Sequence, residues 1–334
     1  MEWYLPVIWA ALIGISVAMY VILDGFDLGI GILFPSARNE IQRDQMMRSV
    51  APFWDGNETW LVLGGGGLLV AFPFAYAVIM PALYLPVIVM LLALIFRGVS
   101  FEFRWVAKPR HRLWDIAFAG GSIVAAFAQG VILGGLLQGI TVQNGAFGGG
   151  SFDWLAPFPL LTGVGLVAGY ALLGATWLTM RTVGPTSEHG RRLARPLMLV
   201  VAVVAALVSL WTPLVFQHIA ERWFTAPNIY YLWIFPALTA LLVIAVWRAL
   251  GRQHAALPFF GTIGIFILCY LGLLISNFPY LIPPTVTVWE ASSAPASQIF
   301  ILIGTLFLLP LVLCYTVFVY WTFRGKLEEG EGYH

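Results

Sequence analysis

Nine long apolar stretches, with basic residues confined to alternate gaps between them, leave this chain few folds other than a helical bundle that crosses a bilayer. The stretches run over residues 6–33, 54–74, 77–97, 113–138, 155–180, 196–220, 230–250, 257–277 and 297–322. Each is about long enough to cross a ~30 Å hydrocarbon layer. Of the 17 lysines and arginines, all but Arg222 fall at the ends of, or in the gaps after, the first, third, fifth, seventh and ninth stretches. The positive-inside rule then predicts the N-terminus outside and the C-terminus in the cytoplasm. A count wrong by one stretch would scatter the charges over both faces, so their segregation also supports nine.

Composition excludes most soluble alternatives. With 60% hydrophobic and 10% charged residues, the chain lacks the polar surface of a water-soluble domain, and a net charge of +1 offers no basic face for nucleic acid. The start, Met1-Glu-Trp-Tyr-Leu-Pro, has neither the basic region nor the cleavage pattern of a signal peptide, so the first stretch is expected to be a retained helix. Cys269 and Cys314 lie inside predicted spans, which argues for packing residues and against a disulfide framework.

The connections are short. Two outer ones, from Thr141 and from Asn277, lack basic residues and carry the Gly and Pro of irregular turns. On the inner side, Arg38 to Arg48 reads as an amphipathic segment at the headgroups, and Gly325 to His334 as a polar, frayed tail. Residues 17–28 can be laid over 167–178, with Asp24 and Asp27 opposite Gly174 and Trp177. That permits two four-helix units, residues 1–140 and 141–280, followed by an outer loop, a ninth helix and the tail over 281–334. Gly25/Gly29, Gly130/Gly134 and Gly165/Gly169 have the spacing that lets membrane helices approach closely. Four glycines, Gly64 to Gly67, leave room for a neighbouring helix, a lipid or a quinone tail.

Buried carboxylates carry the functional signal. Counted back from a cytoplasmic end near Leu33, Asp27 lies about 9 Å and Asp24 about 13 Å inside, one turn apart on one face. Asp55 and Glu58 repeat that spacing at the start of the second stretch, so four carboxyl groups are expected to converge on the inner half of two adjacent helices. An ionised carboxylate at such depth must be protonated, paired or in contact with water, and each state suits a proton path. The plainer alternative is that Asp24 or Asp27 caps a helix break or pairs with Arg97 or Arg38. Arg97, Glu102 and Arg104 form a second charged group at the end of the third stretch, expected as interfacial anchors, with Arg97 the natural counterion for the acids. Lys108 to Arg112 and Arg191-Arg192 read as positive-inside determinants that contact anionic lipid.

Haem or copper within the bilayer needs His, Met or Cys ligands at depth. His111, His189 and His254 fall in inner loops, His334 is in the tail, and His218 reads as an interfacial hydrogen-bonding residue. No Walker, dinucleotide or nucleophile-elbow motif is present. The expectation is a chain with no metal site and no redox centre of its own.

Asp24-Gly-Phe-Asp-Leu-Gly-Ile-Gly, Ala51-Pro-Phe-Trp-Asp-Gly-Asn-Glu-Thr-Trp, Phe96-Arg-Gly-Val-Ser-Phe-Glu-Phe-Arg, Leu136-Leu-Gln-Gly and Val288-Trp-Glu-Ala-Ser-Ser together resemble subunit II of the cytochrome bd quinol oxidases. The resemblance implies a terminal oxidase of the bacterial cytoplasmic membrane. In that family a partner subunit I carries haem b and haem d, and subunit II is a haem-free, nine-helix protein. By position, Asp55 resembles the carboxylate at the cytoplasmic mouth of a proton path, and Asp27 a second acidic position. The third motif departs from Arg-Pro-Val-Gly-Phe-Asp, which points to the cyanide-insensitive branch. Some members hold a quinone in this subunit as a structural ligand, and some complexes include a small single-helix subunit. The resemblance thus implies a scaffold for subunit I that delivers cytoplasmic protons for reducing oxygen to water with quinol. A proton-coupled secondary transporter using the same acids, and a purely structural subunit, are the other readings.

Overall fold

The apolar stretches all form helix, and where the helix ends differ from the sequence expectation, proline and charge explain the difference. The computed structural model describes residues 3–108, 110–252 and 254–328. In chain order the helices are α1 (Leu5–Leu33), α2 (Glu40–Arg48), α3 (Trp54–Ala71), α4 (Pro73–Val106), α5 (Arg112–Gln138), α6 (Pro157–Arg181), α7 (Gly184–Val215), α8 (Gln217–Phe224), α9 (Asn228–Leu232), α10 (Ile234–Gly251), α11 (Leu257–Asn277) and α12 (Pro295–Thr322). α1, α4, α6, α7, α11 and α12 each begin with proline in the first turn, where the missing N–H would have had no partner anyway.

Among the described residues, 8 helices are long and apolar enough to cross a membrane, with α9 and α10 counted together. The remaining stretch of the expected nine is α3. Its 18 residues would cover about 27 Å at the helical rise, but Asp55, Asn57 and Glu58 make its first turns polar.

Two other spans are corrected. α4 does not stop at Arg97 but runs on to Val106, so Arg97 sits within the helix. It bends at Leu83 (φ −118°, ψ 17°), just ahead of Pro86, whose ring displaces the carbonyl one turn back. α7 begins at Gly184, which puts Arg191, Arg192 and Arg195 on helix rather than in a loop, and it ends at Val215 before the separate α8.

The two ends of the bundle differ. At one, the outer connections each hold a hairpin instead of only irregular turns: β1 (Val142–Gln143) with β2 (Ala146–Phe147), and β3 (Tyr280–Ile282) with β4 (Val286–Thr287). The second hairpin is tied back by Ser293 N–H donating to the Ala71 carbonyl at 2.9 Å and by Trp289 stacked on Trp3 at 4.4 Å. At the charged end the tail is pinned over its described part. Gln45 Nε2 donates to the Leu327 carbonyl at 2.8 Å, and Arg181 donates to the carbonyls of Phe323 and Gly325. Residues 329–334, with His334, lie outside the described residues.

α1 runs through the middle, packed on α3, α5 and α6. It meets α6 at Gly29 and Gly174, where a Cβ on Gly29 would stand 2.0 Å from the Tyr170 carbonyl oxygen and 2.8 Å from Gly174 N. Gly130 and Gly134 of α5 approach Thr162 and Pro159 of α6 as closely, and Gly165 and Gly169 receive Val204 and Phe266. In the four-glycine run, Gly64 and Gly67 face Val17 and Ile13 of α1, while a Cβ on Gly65 or Gly66 would meet nothing within 4 Å beyond its own helix. Cys269 and Cys314 are exposed on the outer faces of α11 and α12, not packed inside the chain as expected.

Candidate functional site

Three helices bring their polar residues to one point inside the charged half of the bundle. α1 contributes Asp24 and Asp27, α3 contributes Asn57 and Glu58, and the extension of α4 carries Arg97 in to meet them. Arg97 Nη2 lies 2.8 Å from Asp24 Oδ1 and 3.9 Å from Asp27 Oδ2, and Nη1 donates to Glu58 Oε1 at 2.7 Å. The Arg97, Asp24 and Asp27 side chains are 0% exposed, whereas that of Glu58 is 27% exposed. The expected counterion is therefore in place, though inside the helix rather than at its end.

One cation faces three carboxyl groups, so the site is anionic unless two of them are protonated. Both oxygens of Asp24, Asp27 Oδ1, and Arg97 Nε and Nη2 make no well-aligned hydrogen bond among the described residues. Buried polar atoms in that condition are costly. A proton or a water is the species that relieves the cost.

Asp55 departs from the expected convergence of four. It is exposed in the first turn of α3, one turn before Glu58. Asn57, between them in sequence, was not anticipated. Its Nδ2 donates to Asp27 Oδ2 at 2.6 Å and to the Leu23 carbonyl at 3.3 Å, and its Oδ1 accepts from the Tyr320 hydroxyl of α12 at 3.1 Å. One turn before Asp24 lies Tyr20. Its hydroxyl accepts from Gln129 at 2.7 Å, and Gln129 in turn accepts from Tyr170 at 2.8 Å. No spacing rule links these residues, which come from five helices.

Arg104, expected as an interfacial anchor, is also buried. Its guanidinium donates to Asp115 and Asp44 at 2.6 Å each and to Glu40; Lys108 meets Asp44 at 2.5 Å, and His111 meets Glu40 at 2.9 Å. This cluster fastens α2 to α4 and α5. Glu40, His111 and Asp115 bring one potential metal ligand atom each within 4.8 Å of one another, but Arg104 and Lys108 already supply the positive charge there. Glu102, two residues before Arg104 on α4, is exposed.

Burial alone would raise the Asp44 carboxyl, but the hydrogen bonds from Lys108 and Arg104 outweigh it and hold it below the usual carboxylate range. Glu40 is lowered likewise, its burial outweighed by His111 and Arg104. A carboxyl lowered in the folded state contributes stability above its unfolded pKa of about 4, and that contribution is lost as pH falls through the folded value. Asp44→Asn is thus expected to lower the melting temperature of the complex at neutral pH. The difference from the parent should shrink as pH drops below about 4, and a difference independent of pH would dismiss the ion pair as its cause.

The family model for cytochrome bd terminal oxidase subunit II matches residues 5–323. The chain belongs to that family. Cytochrome bd-I ubiquinol oxidase subunit 2 of Escherichia coli (strain K12) is 31% identical over 361 aligned positions, covering 97% of this chain and 95% of the relative. Cytochrome bd ubiquinol oxidase subunit 2 of Bacillus subtilis (strain 168) is 30% identical, with 97% of each covered. The structure of bd oxidase from Geobacillus thermodenitrificans shares the fold, with a TM-score of 0.74 at 18% identity, covering 96% of this chain and 99% of that one.

A cytochrome bd complex contains haem, and the histidines of this chain are candidate ligands for one. Among the described residues, His111, His189 and His254 lie at the charged end and His218 on the short α8. His189 Nε2 is 2.9 Å from Ser36 Oγ, and the expected partner for His218 Nε2 is lacking among the described residues. These positions do not fit a haem held inside the bundle. The proton-coupled transporter is not favoured either, because the match over nearly the whole chain is to oxidase subunits.

Proposed function

We propose that this cytochrome bd subunit II scaffolds the haem-bearing subunit I and takes up cytoplasmic protons for the reduction of oxygen to water. The chain is a multi-pass membrane protein and a subunit of a quinol oxidase complex. In the proposed arrangement haem b and haem d lie in subunit I. α3 makes the ninth crossing, the N-terminus is outside, and the charged end faces the cytoplasm of a bacterium. The basic residues of that end and the hairpins of the other support this orientation. In this arrangement residues 1–140 and 141–280 form two four-helix units with α12 added, and α1 of the first packs on α6 of the second where the units meet.

The observation that carries the reading is a gradient of exposure along one line of acids. Asp55 is exposed and Glu58 partly so, while Asp24 and Asp27 are sealed in around Arg97. Protons taken from the cytoplasm pass inward along that line, and quinol oxidation releases protons on the other face. Charge is separated without a pump. The test is turnover of the purified complex at matched haem content. Asp27→Asn is expected to lower quinol oxidation about a hundredfold or more, a typical loss for a proton-transfer group. Asp55→Asn should lower it less, because a surface mouth is more readily bypassed by water. Unchanged turnover in an intact Asp27→Asn complex would refute the path, and unchanged turnover in Asp55→Asn would remove that residue from it.

A further inference from the structure

Among the described helices long and apolar enough to cross a membrane, α12 is the least embedded. Of its 28 residues only Gln298 is buried, and its length is lined with exposed side chains such as Phe300, Phe307, Leu311 and Phe318. At its charged end, however, Tyr320 turns inward. The ring stacks on Phe53 at 4.5 Å and meets Phe26 edge-on at 6.4 Å, and its hydroxyl donates to Asn57 Oδ1.

The Asn57 amide sits between partners that demand opposite ends of it. The Leu23 carbonyl and the Asp27 carboxylate are acceptors and call for the nitrogen; the Tyr320 hydroxyl supplies a donor and calls for the oxygen. Turning the amide over would place oxygen against the Leu23 carbonyl and an ionised Asp27. Removing the phenol hydroxyl would leave the buried amide oxygen unpaired and weaken the preference for the present orientation.

We propose that Tyr320 is a positioning residue of the acid site, holding Asn57 with its nitrogen on Asp27 and so setting how readily Asp27 takes up and gives back a proton. This rests on the proton-uptake reading above. The groups facing Asp27 are Asp24 from its own helix, Glu58 and Asn57 from α3, and Arg97 from α4; Arg181 of α6 lies over the Phe53 ring at 5.8 Å. Asp24, Glu58 and Arg97 act by charge. Asn57 acts by a single hydrogen bond whose direction is fixed from the periphery, by a helix with little else inside the chain. A movement of α12 would therefore reach the acids through one hydroxyl.

The experiment is the pH profile of quinol oxidation by the intact complex carrying Tyr320→Phe, which keeps the ring stack and deletes the hydroxyl. The expected result is normal haem content with a profile displaced by about one pH unit, the scale of one hydrogen bond to a charged group. Asn57→Leu should displace it at least as far. The double variant should add little, because both changes break the same link. If Tyr320→Phe does not assemble, Asn57→Leu carries the test, since it leaves the Tyr320 ring in place. An unmoved profile overturns the inference when Asp27→Asn lowers turnover in the same preparation. If Asp27→Asn itself leaves turnover intact, the proton-uptake reading has failed and the role of Tyr320 falls with it.

Discussion

Replacing Arg97 by leucine is expected to cost the subunit about 3–5 kcal/mol, the scale of breaking a buried ion pair from one side. Arg97 is the cation among three carboxyl groups, and Asp24 and Asp27 are wholly buried with it. Without it those acids must take protons, or draw in water between α1, α3 and α4. Either way the helices lose what orders their polar faces. The complex should be recovered in reduced amount, with a lower melting temperature and little turnover. Arg97→Lys keeps the charge but reaches fewer of the acids at once, because an ammonium cannot span Asp24 and Glu58 as the guanidinium does. It should recover assembly better than activity. A leucine variant that assembles and turns over normally would show that the acids are neutral in the working enzyme and need no counterion.

Gly29→Val is the second large effect, and it acts through shape alone. A Cβ at this position would stand 2.0 Å from the Tyr170 carbonyl and 2.8 Å from Gly174 N, atoms of helix backbone that cannot turn aside as a side chain does. α1 and α6 must separate, which disturbs the Phe26–Trp177 stack at 4.2 Å and the register that holds Asp24 and Asp27 against Arg97. Overpacking of this kind costs about 1–3 kcal/mol or more, and here it falls on the helix at the centre of the bundle. Gly65→Val is the matched control, since a Cβ there would meet nothing within 4 Å beyond its own helix. Thermal unfolding of the two variants should differ clearly. Equal melting temperatures would mean that α1 and α6 accommodate the methyl groups by sliding.

The same contrast runs through the site. Asp24, Asp27 and Glu58 stand out in the sequence because a carboxylate in an apolar stretch is conspicuous whatever surrounds it, and Arg97 because it ends an uninterrupted apolar run. Asp55 shares a face with Glu58 but lies one turn nearer the start of α3, where it is exposed, and sequence spacing does not say how far along a short, half-polar helix the cover reaches. Arg104 looked like an interfacial anchor for a similar reason. Nothing in the run Phe101 to Arg104 reveals that α2 folds back to bring Glu40 and Asp44 beside it. Tyr320 lies 263 residues from Asn57, and no local signal joins them.

Hydrophobicity and charge are summed along the chain, so the sequence by itself determined a multi-pass helical bundle, one charged end, acids at membrane depth, the glycine pairs where helices touch, and membership of the cytochrome bd family. The apolar solvent and the hydrogen-bonding needs of the backbone act on each segment alone and leave little else open. Only the tertiary structure decided which charges meet: that Arg97 takes three of the four acids, that Arg104 is buried under α2, and that the outermost helix reaches the site through Tyr320. Those outcomes depend on helix rotation and on where each helix ends. Packing between distant segments sets both, and a turn of one residue, about 100°, is enough to exchange a buried side chain for an exposed one.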